Sequence, residues 1–127
     1  MKRLIGIFVL AAIVASLLVS CVPAAKVYSD PAETIGVNVG EMFIIALDSN
    51  PTTGYMWYED YDDSFLQLVG HKYEQSPSGE GLVGAGGTES LEFKALKQGE
   101  TEIKMVYKQG WEGGSVGEED VFKVSIS

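Results

Sequence analysis

The chain has 127 residues, 46% of them apolar, which allows one domain with a single core and argues against a multidomain enzyme. Asp and Glu number 18 against 9 Lys and Arg, and this net charge of -9 argues against nucleic acid and anionic lipid surfaces as partners. One cysteine and one histidine leave disulfide frameworks, Cys/His zinc sites and Cys-His nucleophilic pairs without the residues that they need.

The first 20 residues have the layout of a secretory signal. Lys2 and Arg3 precede an uncharged run over 4–20 that ends in small residues, and Cys21 follows in a sequence that resembles a lipobox. We therefore predict a lipoprotein-type signal peptide over 1–20, a lipid anchor at Cys21 with a tether over 21–33, and a folded domain over 34–127. A secreted protein and an uncleaved single-span anchor of about 17 residues are the alternatives. All three interpretations place the domain outside the cytoplasm.

The remainder of the chain has the pattern of an all-β protein. Short apolar stretches alternate with clusters of Gly, Pro, Asn and Asp, and no helical period is sustained. The predicted strands cover 35–39, 42–47, 55–58, 65–73, 91–95, 103–107 and 122–126. About seven or eight strands in a domain of this size predict an immunoglobulin-like antiparallel β-sandwich. We expect 42–47 to be a central strand and Trp57 to fill the space between the sheets.

The first conspicuous loop has the sequence Asn50-Pro51-Thr52-Thr53-Gly54 and leads into Tyr55. Pro51 fixes its own φ and favours an extended Asn50, while Gly54 permits a positive φ. The side chain of Asn50 can also cap the turn. The sequence thus predicts a stiff turn that exposes Thr52 and Thr53, and a plain connector is the alternative.

The second loop, over 76–87, contains five glycines around Leu82 and Val83 and ends Gly84-Ala85-Gly86-Gly87. Dense glycine allows another chain to approach the backbone closely and to pair with it as a strand. A phosphate-binding loop is disfavoured, because the Gly-Lys-Ser/Thr ending and a following helix are missing. A mobile hairpin tip is the alternative.

The third loop, over 109–114, carries Trp111 between glycines. Glycines are poor core neighbours, so we expect an exposed indole that anchors an interface. The alternative is an indole folded back over the sandwich.

Two further sets of polar residues are less informative. Carboxylates at 59, 60, 62 and 63 suit Ca²⁺ in kind, but they lack the glycine and the terminal glutamate of a calcium loop, so we expect solvated charge. His71 is expected to be an edge or surface histidine rather than a general base. The sequence therefore predicts a protein that is not an enzyme and that needs no metal or cofactor.

The three loops in this order resemble the chagasin family of cysteine-peptidase inhibitors. The resemblance rests on Asn50-Pro51-Thr52-Thr53-Gly54-Tyr55, then Leu82-Val83-Gly84-Ala85-Gly86-Gly87-Thr88, then Trp111. It implies an immunoglobulin-like fold and reversible, tight binding of papain-like cysteine peptidases through three loops at one end of a monomer. No nucleic acid is expected as a partner, and the membrane is expected only through lipidated Cys21.

The resemblance also implies a role for each loop. Thr52 and Thr53 would enter the catalytic cleft on a tip held by Gly54 and Tyr55. The segment 82–87 would lie along the cleft as a substrate-like strand, and Trp111 would pack on the other flank.

One departure from the family concerns the third loop. The family usually has Arg-Pro-Trp there, whereas this chain has Gln109-Gly110-Trp111. Losing a charge and a proline predicts weaker or differently selective inhibition, because a looser loop loses more entropy on binding. The alternative function is a lipid-anchored, non-inhibitory immunoglobulin-like module for surface adhesion or structure.

Overall fold

The computed structural model describes residues 25–76 and 86–127, which form two four-stranded sheets packed face to face. The first sheet has the order β1-β3-β6-β5 and the second the order β2-β8-β7-β4. The strands are β1 (Lys26–Tyr28), β2 (Ile35–Val37), β3 (Met42–Ser49), β4 (Tyr55–Tyr61), β5 (Leu66–Gln75), β6 (Gly87–Ala95), β7 (Gly99–Gln109) and β8 (Val116–Ile126). This architecture confirms the predicted fold class.

Alternating burial along the strands builds the core between the sheets. Inward-facing apolar residues alternate with more exposed ones on β3, β6, β7 and β8, as the period of two requires. Pairing is antiparallel except at two short strands, since β1 runs parallel to β3 and β2 parallel to β8. The fully buried side chains include Ile35, Phe43, Ile45, Leu66, Leu91, Phe93, Ile103, Met105 and Phe122.

Trp57 lies in the core, as predicted. Its indole is 3% exposed, packs 5.0 Å from the ring of Tyr107 and donates a hydrogen bond from Nε1 to the carbonyl of Asp48 at 2.8 Å. Because Asp48 belongs to the first sheet and Trp57 to the second, this bond joins the two layers. Tyr61 and Phe93 make a second link between the sheets, edge to face at 5.2 Å.

The sandwich extends further toward the amino terminus than the predicted boundary at residue 34. β1 lies inside the predicted tether 21–33, yet Tyr28 is buried and contacts Phe43 edge to face. A three-residue strand is too short to show alternation, so only its parallel pairing with β3 reveals it. Within the described part of the chain, no helix has the length and apolar character needed to cross a membrane.

Strand direction sorts the connections into two groups. The first loop (50–54), the ends of the second loop (76 and 86) and the third loop (110–115) lie at one end of the sandwich, which we term the loop end. The turns at 38–41, 62–65 and 96–98 lie at the opposite end. Lys26 pairs with Phe43 at the start of β3, so β1 also begins toward the opposite end.

Candidate functional site

The first loop is a single 3-10 turn over Pro51–Thr53. The amide of Thr53 donates to the carbonyl of Asn50 at 3.1 Å, and the amide of Gly54 donates to the carbonyl of Pro51 at 2.9 Å. Asn50 has a φ of -133°, outside the helical region, and Gly54 ends the turn with a φ of 84°. Glycine adopts this left-handed conformation at little cost, so the positive φ predicted for Gly54 is confirmed.

Both threonines of the first loop are exposed, and their hydroxyl groups are bonded within the loop. Thr52 donates from Oγ1 to Oδ1 of Asn50 at 2.5 Å, and Thr53 donates from Oγ1 to the carbonyl of Asn50 at 2.6 Å. The predicted capping of the turn by the Asn50 side chain is wrong, because its oxygen accepts from a hydroxyl group instead of a backbone amide. The loop therefore has a defined shape before any partner arrives.

Aromatic residues of the second sheet support the base of the first loop. The amide of Asn50 donates to Oη of Tyr107 at 2.9 Å. The ring of Tyr107 stacks on Tyr55 at 5.3 Å and contacts Trp57 at 5.0 Å. The entry and the exit of the loop are thus tied to one aromatic cluster.

A buried carboxylate that sequence analysis missed lies beneath the loops. Glu89 is completely buried, and its Oε2 accepts from Oγ of Ser49 at 2.5 Å and from the amide of Trp57 at 3.0 Å. Its Oε1 lies 2.7 Å from Nε2 of His71. One side chain of β6 thereby joins β3, β4 and β5 close to the first and second loops.

The alternation of β6 is the sequence signal that could have found Glu89. Glu89 occupies the same alternating inward register as Leu91 and Phe93, and a glutamate in that register requires buried partners. His71 lies on the edge strand β5, as expected. Its pairing with Glu89 gives it a structural role in addition.

The second loop is only partly described. Leu82, Val83, Gly84 and Ala85 lie outside the described residues, so their predicted role stays a prediction. Gly86 accepts at its carbonyl from the amide of Ser76 at 3.2 Å. An open cavity of about 550 Å³ lies between the first loop and the described ends of the second, lined in part by Asn50, Gly86 and Tyr107.

Gly87 opens β6 and therefore does not belong to the loop itself. It lies between Ser49 of β3 and Gln75 of β5. A Cβ atom at this position would lie 2.1 Å from the carbonyl oxygen of Glu74, so the close approach of β5 requires glycine. The peptidase-binding role predicted for Gly87 remains a prediction, and the sheet alone explains the residue type.

Trp111 is 57% exposed, and its indole lies against the first loop. A Cβ atom on Gly54 would lie 2.3 Å from Cη2 and 2.5 Å from Cζ3 of the indole. The structure therefore combines the two interpretations of this residue, because the indole is displayed to solvent while one part of it packs on Gly54. The first and third loops form one continuous surface.

The acidic residues at 59, 60, 62 and 63, which were considered as a possible calcium site, lie away from this surface. At the opposite end, Asp62 accepts at Oδ1 from the hydroxyl and the amide of Ser64, at 2.6 and 2.9 Å. These two hydrogen bonds hold the pKa of Asp62 below its ordinary value. Over residues 25–76 and 86–127, no group of three or more His, Cys, Asp or Glu side chains is arranged to bind a metal ion.

Comparison with known proteins identifies a matching family model and individual relatives. The family model of chagasin family peptidase inhibitors I42 matches residues 36–126. Chagasin of Trypanosoma cruzi is 36% identical over 87 residues, which cover 65% of this chain and 77% of chagasin. Amoebiasin-2 of Entamoeba histolytica is 32% identical over 81 residues, which cover 64% of this chain and 66%, or just under two thirds, of amoebiasin-2.

Solved structures show a similar fold. The crystal structure of the cysteine protease inhibitor EhICP2 from Entamoeba histolytica is 26% identical, covers 84% of this chain and matches over its full length with a TM-score of 0.68. The solution structure of amebosin is 25% identical, covers 83% of this chain and also matches over its full length, with a TM-score of 0.62.

Proposed function

This chain belongs to the chagasin family of peptidase inhibitors, and we propose that it inhibits papain-type cysteine peptidases by placing its loop end in the catalytic cleft. The observation that carries the proposal is the contact of Trp111 with Gly54, which joins the first and third loops into one surface. The related proteins supply the target class, since EhICP2 is a cysteine protease inhibitor.

In this proposal the loop end binds the peptidase non-covalently and takes part in no reaction. Thr52 and Thr53 occupy the region of the peptidase cysteine and histidine and exclude substrate from it. Trp111 packs beside the cleft as an apolar anchor. The segment 82–86 pairs with the cleft as a strand, through backbone hydrogen bonds.

The preformed shape of the first loop supports tight and reversible inhibition. Association loses less entropy when loop residues are already ordered, and the hydroxyls of Thr52 and Thr53 are already bonded to Asn50. A cleft that holds the loop without a correctly placed scissile bond does not cleave it. The inhibitor is then released intact.

Inhibition kinetics test this function. Purified protein is titrated into papain and a cathepsin, and the parent is compared with Trp111→Ala and Thr53→Ala. We expect Trp111→Ala to weaken inhibition about 30-fold, the loss of about 2 kcal/mol that is usual for an interface anchor. Thr53→Ala should weaken it about 10-fold, because the Thr53 hydroxyl also holds the turn.

Val39→Ala is the matched control, since Val39 is an exposed apolar residue at the opposite end. It should leave inhibition unchanged. A parent protein that fails to inhibit either enzyme at micromolar concentration would favour the non-inhibitory adhesion or structural module.

We further propose that Cys21 carries a lipid and that the domain lies outside the cytoplasm on a membrane. The sequence features of 1–21 support this, and β1 begins toward the end opposite the loops. A lipid at that end would hold the loop end away from the membrane and leave it accessible. Labelling with a fatty-acid analogue tests the anchor, and retention of label and membrane attachment in Cys21→Ser would contradict it.

A further inference from the structure

We propose that Gln109 is a positioning residue, whose side chain closes the third loop and thereby holds Trp111 against Gly54. Its effect on inhibition rests on the proposed function, whereas the placement of Trp111 can be measured in the free protein. From the sequence, Gln109 is only the residue that replaces the arginine usual in the family, and the replacement predicts weaker binding of the peptidase.

Gln109 and Ser115 are hydrogen-bonded to each other where the chain enters and leaves the third loop, and we term this pair the neck of the loop. The amide of Gln109 donates to the carbonyl of Ser115 at 3.0 Å. In return, the amide and the hydroxyl of Ser115 both donate to Oε1 of Gln109, each at 3.1 Å. A backbone N-H can only donate, so the side-chain atom that faces it must be the carbonyl oxygen. Three hydrogen bonds thus connect one pair of residues.

The rest of the loop folds back over this pair. The amide of Gly114 donates to the carbonyl of Trp111 at 2.9 Å. A Cβ atom on Gly114 would lie 2.6 Å from the carbonyl oxygen of Gln109 and 2.7 Å from its Cβ, so the end of the loop passes directly over Gln109. The backbone on both sides of Trp111 is therefore fixed with respect to Gln109.

Strand pairing connects the closed loop to the first loop. Gln109 lies opposite Tyr55 in the ladder between β7 and β4, and Tyr55 follows Gly54 directly. Gln109 therefore fixes the start of the third loop beside the end of the first loop. Trp111 follows Gln109 by two residues, which places its indole within reach of Gly54. Any loosening of the neck would be transmitted to the indole.

This arrangement replaces the rigidity of the proline that the family usually has before Trp111. Gly110 occupies that position, and a Cβ atom there would lie 2.4 Å from Oη of Tyr58. A proline would therefore require the end of the Tyr58 side chain to move. In this chain the side chain of Gln109 restrains the loop, and Gly110 leaves room for Tyr58.

Two nearly isosteric variants separate the hydrogen-bonding role of Gln109 from its size. Gln109→Glu keeps an acceptor for both Ser115 donors, whereas Gln109→Met keeps the length and removes the acceptor. The first readout is the NMR shift of the Gly54 α-protons, which the ring current of Trp111 displaces. We expect the displacement in the parent and in Gln109→Glu, and its loss in Gln109→Met and in Trp111→Ala. Unchanged Gly54 resonances in Gln109→Met would overturn the proposal.

The second readout is inhibition of papain. Gln109→Met should weaken it about 10-fold, as expected for the loss of the acceptor, while Gln109→Glu should stay within about threefold of the parent. In a Trp111→Ala background, Gln109→Met should change inhibition less than about twofold, because no indole remains to be positioned. Additive losses would contradict a positioning role. If the parent inhibits no papain-type enzyme while the Gly54 resonances respond as expected, the proposed function fails and the placement by Gln109 stands.

Discussion

The two ends of the sandwich are held together in different ways. At the opposite end, backbone hydrogen bonds join the turns to neighbouring strands and turns: the amide of Gly40 donates to the carbonyl of Ala95 at 2.8 Å, and the amide of Leu96 donates to that of Phe65 at 2.8 Å. At the loop end, side chains make the connections between the first and third loops and their supports. Trp111 contacts Gly54, and Tyr107 accepts from Asn50.

This difference separates stability from recognition. Backbone bonds tolerate many side chains, so substitutions in the turns of the opposite end should act mainly through local conformation. Contacts made by side chains depend on residue identity, so the shape of the loop end can change while the sheets stay the same.

The largest expected effect breaks the loop end at its base. Glu89→Ala removes the acceptor of Ser49 and of the Trp57 amide and leaves His71 without its buried partner. We expect the free energy of unfolding to fall by about 3 kcal/mol, as is usual when buried polar groups lose their partners. Urea denaturation measures it. Glu102→Ala, at an exposed position of β7, is the control and should stay within about 0.5 kcal/mol. A loss below about 1 kcal/mol for Glu89→Ala would contradict this role.

A matched pair of glycines compares the two ends directly. Gly54 has a φ of 84° under the indole of Trp111, and Gly40 has a φ of 88° at the opposite end with open space around it. Alanine at either position should cost about 1 to 2 kcal/mol of stability, because both conformations are left-handed. Only Gly54→Ala also displaces Trp111, so it alone should weaken inhibition of papain, by about 10-fold or more. Equal inhibition by both variants would argue against a joint role of the two loops.

The smallest expected effect sharpens the description of the opposite end. The hydroxyl and the amide of Ser64 lower the pKa of Asp62, so this interaction stabilises the fold above the ordinary pKa of aspartate and is lost as pH falls through the lowered value. Ser64→Ala should raise the pKa of Asp62 toward its ordinary value, while Ser64→Thr should preserve the shift. NMR titration of the Asp62 carboxyl carbon measures both. An unchanged pKa in Ser64→Ala would show that the hydroxyl is not the main cause.

Most of the fold could be predicted from local patterns. Alternation on β6, β7 and β8 is visible in the sequence because most inward positions are apolar and neighbouring positions are mostly polar. Relying on alternation also has a cost. It misses β1, because three residues are too few to show a period, and it conceals the inward position of Glu89, since a charge in that register resembles an interruption of the strand.

The candidate site was predictable in its residues and only partly in its contacts. Pro51 and Gly54 indicate a stiff turn, because Pro51 restricts its own φ and Gly54 permits a positive φ. The capping role of Asn50 was wrong, because its side-chain oxygen accepts from the Thr52 hydroxyl and makes no cap hydrogen bond to the turn. The loss of a proline before Trp111 indicated a loose loop, whereas the structure shows Gln109 and Ser115 holding its neck.

The sequence alone determined the fold class, the positions of the loops and the family resemblance, because these depend on local periodicity, on turn residues and on motif order. Tertiary structure decided the contact of Trp111 with Gly54, the burial of Glu89 under the loops and the bonds between Gln109 and Ser115. The first two of these join residues far apart in the chain, whose separation in space is set by strand order and register. No local pattern encodes that separation, so it follows only from packing the two sheets together.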